Sequence, residues 1–593
     1  MLNRIEHNVD FCVVGGGLAG ICAAVQAARS GKKVALVQER PVLGGNASSE
    51  IRMWVCGAEG KNNRETGIIE EINLENLYRN PYKNYSIWDS VLYGIVIAEP
   101  NITLLLNTSV CDVDMEGGKI KTAVAWQMTT QSWHYINAKF FADCSGDSIL
   151  APLTHADFRL GRESADEFGE IISVTEEDKK TMGLSCLIQA RKTDEDVTFI
   201  APEWAKKLTE DDIKRRTPNL NSTWENFWYL ELGGDRDSIG DTEILRDELV
   251  ALAYGYWDYF KNSGEFDEKF DAKKWQLEFI GFLPGKRESR RMVGPHLLKQ
   301  QEVIAGGHFG DVIAYGGWPL DDHDPRGFYF KGVGTNMGES QVKGIYGIPY
   351  RCLYSANIEN LFFAGRNISA THAAMSSTRV MMTCAVLGQA IGEAASLSVE
   401  YNTTPQGVYD LHIEELQQNL MRADCFIPYI TRKVGKPTEN AEISGCELKE
   451  NLRNGIDRNN KLYGEEEQGA FCNLNDKITY TFNDPHYVET AHIVFDSDLD
   501  RLTIPGDDSE RYHSMRCNIF KDSPKMHLPK TLVKDYMIEY VLADGTVKNI
   551  EVKNNIKRMN EVVIDSLVKS ISLIPVTLWG EQEKVHIFSF DLY

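Results

Sequence analysis

Closely spaced cysteines are missing from this chain of 593 residues: its twelve cysteines stand at 12, 22, 56, 111, 144, 186, 352, 384, 425, 446, 472 and 517, and none forms a CxxC pair. Structural metal and iron–sulfur sites draw on neighbouring thiolates, so neither is expected; reduced, mostly buried thiols are. No run of about 18 apolar residues is present to span a bilayer. The opening MLNRIEHNVD leads straight into an apolar run with no signal segment ahead of it, so a cytoplasmic chain without a membrane partner is expected. Positive charge is in the minority, with 63 Lys and Arg against 86 Asp and Glu. A phosphate backbone needs a basic surface, which excludes nucleic acid as a partner. The length is too great for one core and implies two to four domains.

What is present is organised around residues 10–46. An apolar run over 11–14 reads as a strand, turns on Gly15-Gly16-Gly17-Leu18-Ala19-Gly20, and continues through small apolar residues to Ser30 before a second apolar run over 34–37. Strand, glycine turn, helix and strand open a dinucleotide-binding fold, in which each glycine has its own task. Gly15 permits the tight turn, Gly17 lets backbone approach a pyrophosphate, and Gly20 lets helix and strand pack closely. The free N–H groups near Leu18 and Ala19 and the positive end of the helix dipole would take the pyrophosphate. Where an acidic residue for the ribose hydroxyls is usual stands Gln38, followed by Glu39 and Arg40; an amide can also bind a hydroxyl.

Further along, Gly44, Gly45, Asn46, Ser48 and Arg52 lie in a glycine-led polar loop able to lie flat against a cofactor and offer it donors. Residues 66–78 and 86–98 read as helices, and 102–106, 110–113 and 119–128 as strands with a Gly117-Gly118 hairpin turn. A last strand over 133–141 runs into Ala142-Asp143-Cys144-Ser145-Gly146-Asp147, a small-residue turn at a strand's carboxyl end, where nucleotide sites form.

These motifs resemble the FAD-dependent oxidoreductase family of two-dinucleotide-binding-domain flavoproteins, related to the flavin part of heterodisulfide-reductase-like proteins. The likeness extends to NLFFAGRNIS at 360–369, running on through His372 and Arg379 to GQAIG at 388–392, and to GKRESRR at 285–291 and GWPLDDH at 317–323. It covers roughly residues 10–430. The resemblance implies an α/β fold: a Rossmann-like FAD-binding domain (1–157 and 342–400), an inserted mixed α+β substrate domain (158–341), a helical tail and linker (401–440) and a C-terminal all-β sandwich (441–593). Within the insertion, 243–261 has helical spacing and 184–191 and 226–232 read as strands. The sandwich is read from short strands such as 478–482, 492–495 and 571–574. Its last residues are similar to discoidin and galactose-binding-like domains.

By the same resemblance, FAD is held by the residues of the first two glycine loops named above, by Val110, by Ser145, Gly146 and Asp147, and by Gly365, Arg366, Ala374 and Met375. A flavin takes hydride at N5 and its reduced ring carries negative charge, so the protein should supply positive dipoles and a base. A helix over 373–396 would aim its N-terminus at that charge. Arg52, Arg366 and Arg379 are candidates for a fixed positive charge, whereas Arg290 and Arg291 suit structural ion pairs. For the proton, His372 and His323 are the choices because histidine titrates near neutrality, with Glu50, Asp321 and Glu288 to orient them. Hydride removal from a CH–OH or CH–NH carbon of a small molecule follows, with the electrons going on to a separate acceptor. The aromatics Trp224, Phe227, Trp228 and Tyr229 either fill a core or stack on a sugar ring; with the β tail, the second use suggests a sugar or glycoside. Two alternatives stay open: an electron-transfer subunit, and a carbohydrate-binding protein whose flavin fold is non-catalytic.

Overall fold

A computed structural model describes residues 2–214, 216, 218, 224–225, 227–332, 342–504, 507–516 and 525–593. The side chain of Trp224, Asn226, Gln341 at the expected end of the insertion, and Cys517 lie outside the described residues. Two units form: the first from residues 1–58, 82–416 and 513–523, the second from 59–81, 417–512 and 524–593.

The first unit is built on a seven-stranded sheet: β1 (Asn3–Val14), β2 (Val34–Val37), β3 (Ile102–Leu105), β4 (Thr108–Glu116), β5 (Lys119–Gln127), β6 (Ser132–Asp143) and β7 (Leu361–Phe363). The strand order is β3-β2-β1-β6-β5-β4, with β7 beside β6. β1, β2, β3, β6 and β7 are parallel neighbours, and β4, β5 and β6 form an antiparallel meander. Along one edge of β6, β5 covers residues 132–137 and β7 covers 141–143. The returning strand thus completes the sheet only at its carboxyl end. The parallel strands are continuous apolar runs because both faces are covered, with Cys12, Val14, Ala35 and Val37 sharing a core with Val110, Ile120, Ala123 and Ala125 of the meander; every residue of β2 is buried.

Two helices frame the start of this sheet, α1 (Leu18–Arg29) and α2 (Tyr85–Ile97), the latter capped by the Asn84 side chain on the Ser86 and Ile87 N–H groups. The insertion carries α3 (Thr242–Asn262), whose Leu245, Leu249, Tyr256, Trp257 and Phe260 share a core with Phe227, Leu230, Trp275 and Phe328. The single strand expected over 184–191 is two. Leu184–Ser185 pairs with Gly285–Lys286 and Ile188–Lys192 with Trp275–Ile280, because the chain changes partner at Cys186 and Leu187. Residues 227–230 are a turn rather than a strand, closed by the Leu230 N–H on the Phe227 carbonyl.

The helix expected over 373–396 is likewise two: α4 (His372–Thr378) and α5 (Met381–Glu400), broken where Val380 adopts extended backbone. The Cys384 thiol donates to the carbonyls of Thr378 and Arg379 at the break. Beyond it, α5 crosses α1 at glycines. A Cβ on Gly388 would collide with the Ala19 carbonyl oxygen and one on Gly392 with that of Ala23, so the helices meet backbone to backbone. Among the described residues α5 is the helix long and apolar enough to cross a membrane, and 94% of its apolar 18-residue stretch is buried inside the protein.

The second unit is an antiparallel seven-stranded sheet of β8 (Glu442–Ser444), β9 (Ala470–Asn473), β10 (Ile478–Phe495), β11 (Val533–Leu542), β12 (Val547–Val552), β13 (Met559–Leu578) and β14 (Lys584–Leu592). Its order is β9-β14-β10-β13-β11-β12, with β8 on β10. The expected strands 478–482 and 492–495 are the two ends of one 18-residue strand, and 571–574 is part of a 20-residue one. Arg432 is buried between Asp457 and Asp591 at 2.9 and 2.6 Å. Glu70, on the helix Ile68–Arg79, pairs with Arg501 at 2.7 Å.

Candidate functional site

The N-terminal glycine turn divides by what each glycine faces. A Cβ on Gly15 would strike the Cys144 carbonyl and one on Gly20 the Gly15 carbonyl, whereas a Cβ on Gly17 would meet nothing within 4 Å. Two glycines therefore close the backbone on itself and the third borders open space. No side chain caps α1, and its first turn borders the open space at Gly17. Opposite lies the second glycine loop: Gly44 pairs with Gly17, its N–H donates to the Gly16 carbonyl (2.8 Å), and both Gly44 and Gly45 are left-handed. A Cβ on Gly45 would stand 3.3 Å from the Gly17 Cα. An uncapped helix end facing a glycine-lined slot suits the diphosphate of an FAD molecule.

The third loop meets the same place. The Cys144 N–H donates to the Val14 carbonyl (2.7 Å), which ties the end of β6 to the end of β1. Buried Asp143 accepts from the Ser145 and Leu150 N–H groups and organises the turn. Asp147 pairs with Lys286 at 2.6 Å and Arg366 at 2.7 Å. Burial would raise the Asp147 pKa, but these two cations outweigh it and keep the group ionised. Gly146 is left-handed, and a Cβ there would lie 2.7 Å from Arg366 Nη1. A Cβ on Gly365 would lie 3.9 Å from that of Ala19. The three glycine loops and the returning segment thus converge at the carboxyl ends of β1 and β6.

Other expected cofactor residues have partners within the protein. Gln38 accepts from the Gly16 N–H (2.7 Å) and donates to the Val42 carbonyl (3.2 Å), bracing the turn from beneath, while Glu39 is exposed at the end of β2. Arg40 pairs with Glu50, which is thus distant in role from either histidine. Asn46 donates to the Lys286 carbonyl, and Ser48 is buried beside it in sequence. Arg52 lies over the Phe279 ring at 3.7 Å and donates to Gln189. Val110 is buried in β4, and Ala374 and Met375 in α4.

The histidines sit in a buried network of charges. His372 Nδ1 meets Glu288 (2.9 Å) and Nε2 meets Asp322 (2.9 Å), while its N–H donates to Glu163 (2.9 Å). Burial lowers its proton affinity, but Glu288 and Asp322 push the pKa up to about 10. His372 is therefore an imidazolium at neutral pH. The first N–H of α4 is taken by Glu163 and that of Ala374 by the Thr371 hydroxyl. Arg291 joins Glu163 (2.7 Å) and Glu288, in the structural ion-pair role its sequence context suggests.

His323 is arranged differently. Nδ1 lies 2.6 Å from Glu231 and Nε2 3.4 Å from Asp321, and Asp321 also accepts from Arg379 (3.2 Å). Burial lowers the His323 pKa, while Glu231 and Asp321 raise it above the usual value. Glu231 is itself held down to about 2, with burial opposed by Arg287 and His323. Beside the imidazole stands Trp228, 37% exposed, its ring centroid 5.9 Å away. Phe227 is sealed in the core, and Tyr229 packs on Tyr256. Asp321 and Glu288 do contact the histidines; Glu231, 92 residues from its partner, gave no local sign in the sequence.

A family model described as FAD dependent oxidoreductase matches residues 10–420. Over 57 residues the chain is 46% identical to the NADH:acrylate oxidoreductase of Vibrio harveyi, a match spanning 10% of this chain and 6% of that protein's length. Similar solved structures include a geranylgeranyl bacteriochlorophyll reductase-like protein from Thermoplasma acidophilum, 14% identical with a TM-score of 0.32, covering 70% of this chain and 86% of that one. Another is a subunit of E. coli quinol fumarate reductase, 13% identical with a TM-score of 0.27, covering 70% and 75%.

Proposed function

Because this chain belongs to the FAD-dependent oxidoreductase family and takes FAD as its cofactor, we propose that it removes hydride from a carbon bearing a hydroxyl or amine, with His323 receiving the proton. Bound FAD supplies the hydride acceptor. The chain's own residues do the rest. The amides of Leu18, Ala19 and Gly20, with the slot at Gly17, Gly44 and Gly45, hold the diphosphate; Glu39 is placed for the ribose, and Asp147 with Arg366 fixes the turn beside it.

The observation that carries the proposal is the environment of His323. Glu231 is ionised and can only accept, and at 2.6 Å it is nearer to Nδ1 than Asp321 is to Nε2 (3.4 Å), so Nδ1 keeps the proton and Nε2 is the basic atom in the neutral ring. His372 is not assigned this task, because both of its nitrogens lie 2.9 Å from carboxylates and it holds its proton at neutral pH, whereas His323 Nε2 is 3.4 Å from Asp321, a carboxylate that Arg379 also holds. It anchors the loop instead. Trp228, exposed against His323, favours a ring-shaped polyhydroxy substrate such as a sugar or glycoside, shaped by the inserted domain.

We also read the C-terminal sheet as a sandwich of the sugar-binding kind. The ladder between β10 and β13 shifts register twice near its middle, which lets two long strands divide between layers. Eleven free cysteines among the described residues suit a reducing cytoplasm.

A second reading is favoured by the raised proton affinity of His323: as an imidazolium it would donate a proton while hydride is delivered to an electron-poor carbon. Anaerobic mixing of the yellow enzyme with sugars, polyols and amines tests the first reading. Bleaching by a member of the panel that is lost in His323→Asn supports it; bleaching unaffected by that substitution, or none at all with re-oxidation of the reduced enzyme by activated alkenes, overturns it in favour of the other or of a different base.

A further inference from the structure

Three consecutive residues of the loop 318–325 are gripped by three different parts of the first unit. Asp321 is held by Arg379, just past α4; Asp322 by His372, at the start of α4; and His323 by Glu231, in the insertion. Glu231 is itself immobilised on all sides. Its Oε1 accepts from the Gly183 N–H (2.7 Å), and its Oε2 faces both His323 (2.6 Å) and Arg287 (3.5 Å). Arg287 in turn donates to Ser185 Oγ (2.9 Å) and to the Trp228 carbonyl (3.0 Å). One buried guanidinium therefore fixes both the carboxylate behind His323 and the backbone of the tryptophan beside it.

We propose that Glu231 is the positioning residue of the proton-accepting step, setting the tautomer and rotation of His323 so that Nε2, the edge 3.4 Å from the Arg379-held Asp321, is left as the basic atom, with Arg287 holding Glu231 and Trp228 in register. The inference rests on the reading of His323 given above. In the step itself, the substrate O–H or N–H bond breaks and its proton passes to Nε2. The C–H bond's electron pair would leave as hydride, for which bound FAD would be the acceptor. Nδ1 keeps its proton, and the imidazolium that forms is balanced by the Glu231 carboxylate. The charged groups around this ring are Glu231 and Asp321 in contact, Arg287 and Arg379 behind them, and Asp322 and Asp324 along its own loop with Arg162 opposite.

The test uses the full-length, FAD-loaded protein and its Glu231→Gln variant, with Glu231→Asp as a second, charge-retaining variant. Nitrogen-15 histidine NMR, with His323→Asn to assign the signal, reads the tautomer and titration of His323 without any substrate. In the wild type the ring should show Nδ1–H when neutral; Glu231→Gln should lower its titration midpoint by about one unit or more and mix the tautomers, while Glu231→Asp keeps the midpoint high. With whichever compound bleaches the enzyme, Glu231→Gln should lower kcat by about tenfold or more and leave KM little changed. An unchanged tautomer and midpoint in Glu231→Gln overturns the positioning role, whatever the activity. An altered midpoint combined with bleaching that survives His323→Asn retains Glu231 as the orienting group and overturns the choice of His323 as base, so the two failures are separable. If Glu231→Gln loses FAD, the His323 tautomer and midpoint are read in its FAD-free form beside FAD-free wild type: a lowered midpoint supports the role and an unchanged one overturns it.

Discussion

Replacing His372 by glutamine should cost the first unit a large part of its stability below neutral pH and little at high pH. The imidazolium is buried between Glu288 and Asp322, and its pKa rises from 6.5 to about 10 on folding. At about 1.4 kcal/mol per unit, that shift corresponds to about 5 kcal/mol of stabilisation by the bound proton. Since the folded pKa lies above the unfolded one, the contribution is complete below pH 6.5 and is lost as the pH climbs through 10. Glutamine is uncharged and leaves two buried carboxylates short of a cation, for which about 3–5 kcal/mol is the usual cost. The assay is denaturant unfolding of the FAD-loaded protein, followed by flavin release, at intervals from pH 6 to pH 10. The gap between wild type and variant should be several kcal/mol at pH 6 and close progressively toward pH 10, and titrations common to both cancel in the difference. A gap that stays constant across this range would refute the assignment of a proton to His372.

Gly17→Ala should fold normally, because its φ is −67° and its Cβ enters open space, yet should retain less FAD; the ratio of visible to ultraviolet absorbance after gel filtration measures this. Gly388→Ala drives a methyl group into the Ala19 carbonyl and should cost about 1–3 kcal/mol or more, whereas Gly94→Ala, in α2 with nothing within 4 Å, should gain about 0.5–1 kcal/mol. Thermal melts of the pair, side by side, test whether the two glycines differ as described. In the second unit, His492 is buried with both ring nitrogens unpartnered, and burial followed by Arg432 holds its pKa down to about 3. Its unfolded form binds a proton below pH 6.5 while the folded form does not, so stability falls with pH from 6.5 toward 3. His492→Leu should flatten that fall, as read by unfolding at pH 4 and pH 7.

Much of the cofactor cradle was legible because its signals are local. Apolar runs bracket Gly15, Gly17 and Gly20, and α1 and β2 form where the pattern places them, whereas β1 starts at Asn3, eight residues ahead of the expected strand 11–14, where its exposed residues carry no apolar run. The meander was equally plain, since Gly117-Gly118 sits between two alternating strands. The break between α4 and α5 was not: Val380 is extended there, and the neighbouring Arg379 is held by Asp321, 58 residues upstream, a pairing with no local sign. Nor could the sequence show that Gln38 turns under the glycine loop to hold Gly16, or that Glu231 lies against His323. Such pairings depend on tertiary folding and leave no period. Residues 59–81 show the same limit: an amphipathic helix was visible, but not that Glu70 would answer Arg501 in the second unit.

The route of the chain through the first sheet also fixes a schedule. The turn at Gly15–Gly20 is synthesised about 340 residues ahead of the strand that flanks β6 and of the helix that seals α1, both encoded after residue 360. At about 5–20 residues per second, the nascent fold waits roughly twenty seconds to over a minute with its glycine seam uncovered. Loading of the cofactor is therefore an event of late or completed synthesis, and nascent chains halted before residue 400 should be those that chaperones hold.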